Sequence, residues 1–258
     1  MSDPGSPSTI AAFTMYSRPE LVDSHDRYWA LIRARLLASG FDAPERLSQD
    51  AEEFEVWNDP GLVLSQTCGM PYRLWLHGRV ALVGTPDYGL EGCPAGYYRS
   101  AFVVRGDDAR TELAEFKDSV FAYNQTFSQS GYAAPFAQAL PHGFWFENRL
   151  HTEQHLESAR AVSEGRADIA SLDGVSWRLI QAYEPFAEKL RVLSWTVPTP
   201  GLPYITADQS KVAAIFDAVS GAIDSLVDAD RKSLGLGGIV RIPEEEYLAV
   251  QNPPASFQ

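Results

Sequence analysis

Asn124-Gln125-Thr126-Phe127-Ser128-Gln129-Ser130-Gly131-Tyr132 follows the apolar run Ser119-Val120-Phe121-Ala122-Tyr123 and leads into a helix-like segment from Tyr132 to Leu140. A strand that ends in small hydroxyl residues and a glycine, then turns into a helix, presents several backbone N–H groups at one point. Those donors, with the helix dipole, favour an anion at the helix start. Thr126, Ser128 and Ser130 add hydroxyl donors suited to tetrahedral oxygens, and Gly131 lets a ligand approach the backbone closely. The same residues also read as an ordinary Ser-capped helix. Both readings stand at this point.

The 258 residues suit one large α/β domain or two lobes. With 45% apolar residues the chain can bury a core. Its 21 basic and 34 acidic residues give a formal charge of −13, with no Lys/Arg cluster, which argues against a nucleic-acid partner. It does not argue against anion binding, because backbone dipoles hold anions without net positive charge. Cys68 and Cys93 have no metal-ligand spacing and are too few for a disulfide scaffold. Each lies beside a turn glycine, so a bond between them stays open. No segment has the roughly 20 apolar residues of a membrane span. Residues 1–8 read as a disordered lead with neither a basic nor an apolar leader region. The expectation is a cytoplasmic chain as written, or a periplasmic one if it was trimmed ahead of Met1.

Around the central stretch, strands and helices alternate, which argues α/β with strand-to-helix turns as the functional edge. Thr9–Phe13 reads as a buried strand. Ser17-Arg18-Pro19-Glu20 has capping-box form before a helix carrying Tyr28, Trp29, Ile32 and Leu36, with Gly40 past its end. Leu62–Ser65 is a second strand. It ends in Ser65-Gln66-Thr67-Cys68-Gly69, a second hydroxyl-and-amide turn before a helix-like stretch, Met70 to His77. Val80–Gly84 and the long run Tyr97–Arg105 read as strands, and Gly143-Phe144-Trp145-Phe146 as core or strand. Thr152 is placed to cap a helix that Gly165 ends. Ala167–Asp173 and Lys189–Thr196 are further strands, and Val212, Ile215, Phe216, Val219, Ile223 and Leu226 form one helix face.

The polar residues at strand ends include Tyr16, Gln66, Thr67, Tyr88, Tyr98, Ser128, Ser130, His155 and Asp173. This set is rich in neutral donors, holds one imidazole, and suits a small polar anion. Ser130, His155 and Asp173 also read as nucleophile, base and orienting acid, although no Gly-x-Ser-x-Gly elbow precedes the helix. His142, His151 and His155 lack the partners of a metal centre, and nothing calls for a cofactor.

Four stretches resemble the substrate-binding proteins of phosphate, phosphite and phosphonate ABC transporters. They are Ser65–Gly69, Gly92–Ser100, Asn124–Gly131, and Glu153-Gln154-His155 followed by Glu164–Asp173. The third is similar to that family's Ser-x-Ser-Gly anion loop. The fourth is similar to its Gly-Ser-His…Gly-x-Ala-Asp…Asp pattern, with Glu153-Gln154 standing where Gly-Ser is usual. The resemblance runs from about Met15 to Tyr204. It implies a periplasmic-binding-protein-like type II fold of two lobes with a ligand cleft between them. Residues 1–98 and 196–258 would make the first lobe and 99–195 the second. It further implies an anion on Ser128, Gln129 and Ser130, His155 as another donor, Asp173 as an acid for a substrate amine, and Tyr16, Thr67 and Tyr88 closing the first-lobe side. The implied function is solute binding by hinge closure, with a small anionic ligand and an ABC permease as partners. The alternatives are an enzyme on the same fold and an intracellular sensor or interaction module.

Overall fold

The structure, a computed structural model, describes residues 9–257. The expected disordered lead at 1–8 lies outside them. The chain divides into two compact units. The first holds the chain up to Gly89 together with Pro200–Tyr247. The second holds Leu90–Thr199 and the chain from Leu248. Residues 90–98, 196–199 and the tail, which the sequence reading gave to the first lobe, thus group with the second unit.

The first unit is built on a five-stranded sheet in the order Ile10–Ala12, Leu62–Gln66, Tyr204–Thr206, Ala81–Asp87, Gly238–Val240. The first two strands are parallel, and Tyr204–Thr206 is antiparallel to both its neighbours. Leu62–Gln66 is buried at every position, as befits a strand with both faces covered. Helices Val22–Ala38 and Val212–Ser225 share a core with the sheet. Their buried residues recur at three- and four-residue spacing: Tyr28, Trp29, Ile32 and Leu36 on one, Ile215, Ala218, Val219, Ala222 and Ile223 on the other. Phe13 stacks between Tyr28 and Tyr204 in that core.

The second unit has its own five-stranded sheet, in the order Arg149–His151, Phe121–Tyr123, Ile169–Asp173, Ser100–Arg105, Leu190–Trp195. Phe121–Tyr123 runs parallel to both its neighbours, so each connection needs a crossover. The crossover from Phe121–Tyr123 carries the stretch 124–140 that the sequence singled out. Helices His155–Ser163 and Gly174–Tyr183 complete the layer.

Several local expectations change. The Ser17 capping box does not form: a 3₁₀ turn, Pro19–Leu21, precedes the helix, and Glu20 pairs instead with Arg18 at 3.2 Å. Tyr97–Arg105 is interrupted at Arg99. Phe144–Phe146 is not a strand. Phe144 and Phe146 are buried, and Phe146 stacks on Phe121 with centroids 4.6 Å apart. Met70–His77 becomes a short α-turn, Gly69–Pro71, followed by a π-helical turn, Tyr72–Leu76. Gly40 and Gly165 end their helices at left-handed φ, as expected. Cys68 and Cys93 are half-buried and not joined in a disulfide. Among the described residues no helix is long and apolar enough to cross a membrane, and no cluster of His, Cys, Asp and Glu is placed to hold a metal ion.

Candidate functional site

The stretch 124–131 closes on itself at the head of a helical segment. Ser128 is the N-cap of a π-helical turn, Gln129–Ala133, which passes directly into the helix Ala134–Ala139. Its Oγ accepts the Gly131 N–H at 3.0 Å. The capping reading is therefore realised, and it is compatible with the cradle: a hydroxyl that accepts from the backbone keeps its own proton for another acceptor. The first turn of a helix leaves N–H groups without intrahelical partners, and π-helical turns recur at functional sites.

Ser128, Gln129 and Ser130 are all buried. The Ser128 and Ser130 hydroxyls are 3.5 Å apart, and Ser130 Oγ lies 2.9 Å from His155 Nε2. His155 opens the helix that follows the neighbouring strand, so two crossovers deliver these side chains to one place. Gly131 makes room for this. A Cβ there would fall 1.9 Å from Asn124 Oδ1 and 3.2 Å from His155 Cε1.

Two participants escaped the sequence reading. Ser171 Oγ donates to the Ser130 carbonyl at 2.7 Å and fixes the turn against the central strand. Asn124 Oδ1 is buried beside Gly131 with no hydrogen-bond partner among the described residues. The signal for Ser171 was a hydroxyl within an otherwise apolar buried strand; Asn124 carried none beyond its place in the stretch. Burial lowers the His155 pKa to about 4, partly offset by the Ser171 backbone, so the imidazole is neutral at neutral pH.

Asp173 has a structural task. Its Oδ1 accepts the N–H groups of Val175 at 2.7 Å and Ser176 at 2.9 Å, capping the helix Gly174–Tyr183. Ser130 and His155 are thus paired as a nucleophile–base reading requires, but the group influencing His155 is the Ser171 backbone, not the Asp173 carboxylate. Thr152 does not cap its helix: Gln154 takes the N-cap position without a side-chain bond, and Thr152 Oγ1 donates to the Tyr123 carbonyl at 3.0 Å. Tyr98 is buried just ahead of the strand Ser100–Arg105.

Glu153, which stands where glycine was expected, is the one non-glycine residue at positive φ (65°) among the described residues. The left-handed region costs an L side chain about 1–2 kcal/mol, and glycine returns part of that gain as unfolded-state entropy. Glu153→Gly is therefore expected to raise stability by about 0.5–1 kcal/mol in chemical denaturation. A lower denaturation midpoint would contradict the strain assignment.

The first unit groups the other expected residues. Gln66 ends its strand with Nε2 donating to the Leu202 carbonyl at 3.0 Å and to Tyr88 Oη at 3.2 Å. Tyr16 meets Tyr88 edge-on with ring centroids 5.1 Å apart. Thr67 is buried, and its N–H donates to the Pro203 carbonyl at 3.1 Å. Gln66 is thereby a pinned residue that orients Tyr88.

Comparisons with known proteins bear on the family and the fold. Residues 77–242 match the family described as ABC transporter, phosphonate, periplasmic substrate-binding protein. No curated protein matches the chain in a sequence search. Among solved structures, XAC2383 from Xanthomonas citri is similar in its chloride-bound form, with 16% identity, a TM-score of 0.68, and coverage of 92% of this chain and 93% of that one. Its ATP-bound form gives 16%, 0.66, and 93% of each chain. PhnD1 from Prochlorococcus marinus in complex with methylphosphonate gives 14%, 0.67, and 94% and 95%. At these identities the likeness shows the fold, the two-lobed type II arrangement of periplasmic binding proteins. The family match covers well over half of the sequence, and on that ground the chain belongs to the periplasmic phosphonate substrate-binding proteins of ABC transporters.

Proposed function

We propose that the protein binds a small phosphorus oxyanion of the phosphate, phosphite or phosphonate class and presents it to an ABC permease, with Ser128, Gln129 and Ser130 holding the anion and His155 as a further donor. The observation that carries this reading is the convergence of two buried hydroxyls and one imidazole at the head of a single helical segment. Tetrahedral oxygens need several donors at one point, and preorganised hydroxyl and backbone donors at a helix start supply them without a cation. The methylphosphonate complex of PhnD1 supports the ligand class. The chloride and ATP complexes of XAC2383 support anion binding more broadly.

Ser130→Ala removes one donor to a charged acceptor and should weaken binding by about 1–3 kcal/mol. Calorimetric titration of ligand-stripped protein with phosphate, phosphite, methylphosphonate and 2-aminoethylphosphonate tests this, with sulfate as a control anion. An unchanged dissociation constant in Ser130→Ala would remove the turn from the binding site.

A further inference from the structure

Asn124 follows the strand Phe121–Tyr123 and begins the stretch that carries Ser128 and Ser130. Its amide makes no hydrogen bond among the described residues. A Cβ on Gly131 would fall 1.9 Å from Asn124 Oδ1 and 3.2 Å from His155 Cε1, so turn, amide and imidazole meet at one point. With a carbon–carbon bond of about 1.5 Å, Oδ1 is within about 3.4 Å of the Gly131 Cα. That is the range of a Cα–H···O contact. The oxygen belongs on this side, because turning the amide over would set its N–H groups against a C–H that accepts nothing.

The two Nδ2 donors then lie on the other branch of the amide, and the acceptors of the turn are taken by other groups. Ser128 Oγ accepts the Gly131 N–H at 3.0 Å. The Ser128 carbonyl accepts the N–H groups of Tyr132 at 3.2 Å and Ala133 at 3.0 Å, and the Gln125 carbonyl accepts that of Ser128 at 3.1 Å. The Ser130 carbonyl takes the Ser171 hydroxyl at 2.7 Å. Within a half-buried residue, Oδ1 is sealed from solvent and Nδ2 is not. Beside the buried hydroxyls of Ser128 and Ser130 the chain thus keeps a third donor group, reachable from outside and used by nothing in the fold.

We propose that Asn124 is a further ligand residue of the cradle, its Nδ2 donating to an oxyanion oxygen beside those met by Ser128 and Ser130. A phosphonate or phosphite has three terminal oxygens, one for each of these donor groups, whereas a planar carboxylate has two. Asn124 is then a specificity-determining residue that favours tetrahedral anions without adding a cation. This inference rests on the oxyanion reading given above.

Asn124→Leu keeps the size and branching of the side chain and removes both donors. Calorimetric titration of the ligand-stripped variant with methylphosphonate should show a dissociation constant raised about tenfold. Chemical denaturation should show it at least as stable as wild type, since a buried oxygen without a partner has been removed. A packing role alone gives the opposite pair, lower stability with unchanged affinity. Where Asn124→Leu fails to fold or loses both, a crystal structure of the wild-type methylphosphonate complex decides. A ligand oxygen about 3 Å from Asn124 Nδ2 supports the assignment, and an Nδ2 that meets only water overturns it. Unchanged affinity in Asn124→Leu, beside weakened binding in Ser130→Ala, overturns the role of Asn124 and leaves the oxyanion reading standing. Absence of binding by every anion of the panel, in wild-type protein, overturns both readings.

Discussion

Replacing Gly131 by Ala is expected to weaken oxyanion binding by at least ~100-fold and to lower the stability of the second unit by about 1–3 kcal/mol. The added Cβ would lie 1.9 Å from Asn124 Oδ1 and 3.0 Å from its Cγ. No real pair of atoms tolerates that approach, so the Asn124 side chain must leave or the turn must open. The same methyl group presses on His155 at 3.2 Å, and the hydroxyls it would displace belong to the flanking Ser128 and Ser130. The effect should exceed that of Ser130→Ala, because a steric insertion disturbs several donors where a deletion removes one. Chemical denaturation and calorimetric titration of Gly131→Ala measure both effects. Asn124→Ala on that background should recover part of the stability by vacating the contested space. A Gly131→Ala protein that binds like wild type would contradict this packing.

The second large effect is an acid instability carried by one histidine in each unit. His25 is buried beside Phe13 in the first core, its Nδ1 has no hydrogen-bond partner among the described residues, and burial lowers its pKa to about 4 despite Asp26 nearby. His155 is lowered to about 4 in the second unit, also by burial. A histidine of unfolded pKa near 6.5 that folds with a lower value binds its proton more readily in the unfolded state. Its stabilising contribution is complete above pH ~6.5 and is lost as pH falls from there to about 4. Each histidine contributes about 3 kcal/mol over that window. Thermal unfolding followed from pH 7 to pH 4 should show this loss, and His25→Leu should flatten the profile of the first unit while leaving the second unchanged. A His25→Leu protein as acid-sensitive as wild type would reject His25 as a source.

How far the sequence could be read follows from which interactions are local. Strand Leu62–Gln66 and helix Val212–Ser225 announce themselves by apolar runs and by three- and four-residue spacing, because their burial is decided along their own length. Arg149–His151, Tyr204–Thr206 and Gly238–Val240 are three-residue strands defined by what they pair with, and no local pattern marks them. Ser17 and Thr152 have the residue types of caps, but Glu20 is drawn to Arg18, and Thr152 is drawn to the Tyr123 carbonyl. At the candidate site, Ser128, Ser130 and Gly131 were legible because a hydroxyl–glycine turn before a helix has a physical meaning on its own. The Ser171 tether and the proximity of Asn124 to Gly131 arise from tertiary packing across the sheet. Asp173 shows a role that its place at a strand end did not announce: its Oδ1 satisfies two backbone donors of the next helix.

The most direct test of the central claim is a crystal structure of ligand-stripped protein soaked with methylphosphonate. The account predicts phosphonate oxygens at about 3 Å from Ser128 Oγ and Ser130 Oγ, at the start of the helical segment that begins at Gln129. A phosphonate bound elsewhere, with both hydroxyls and His155 undisturbed, would contradict it.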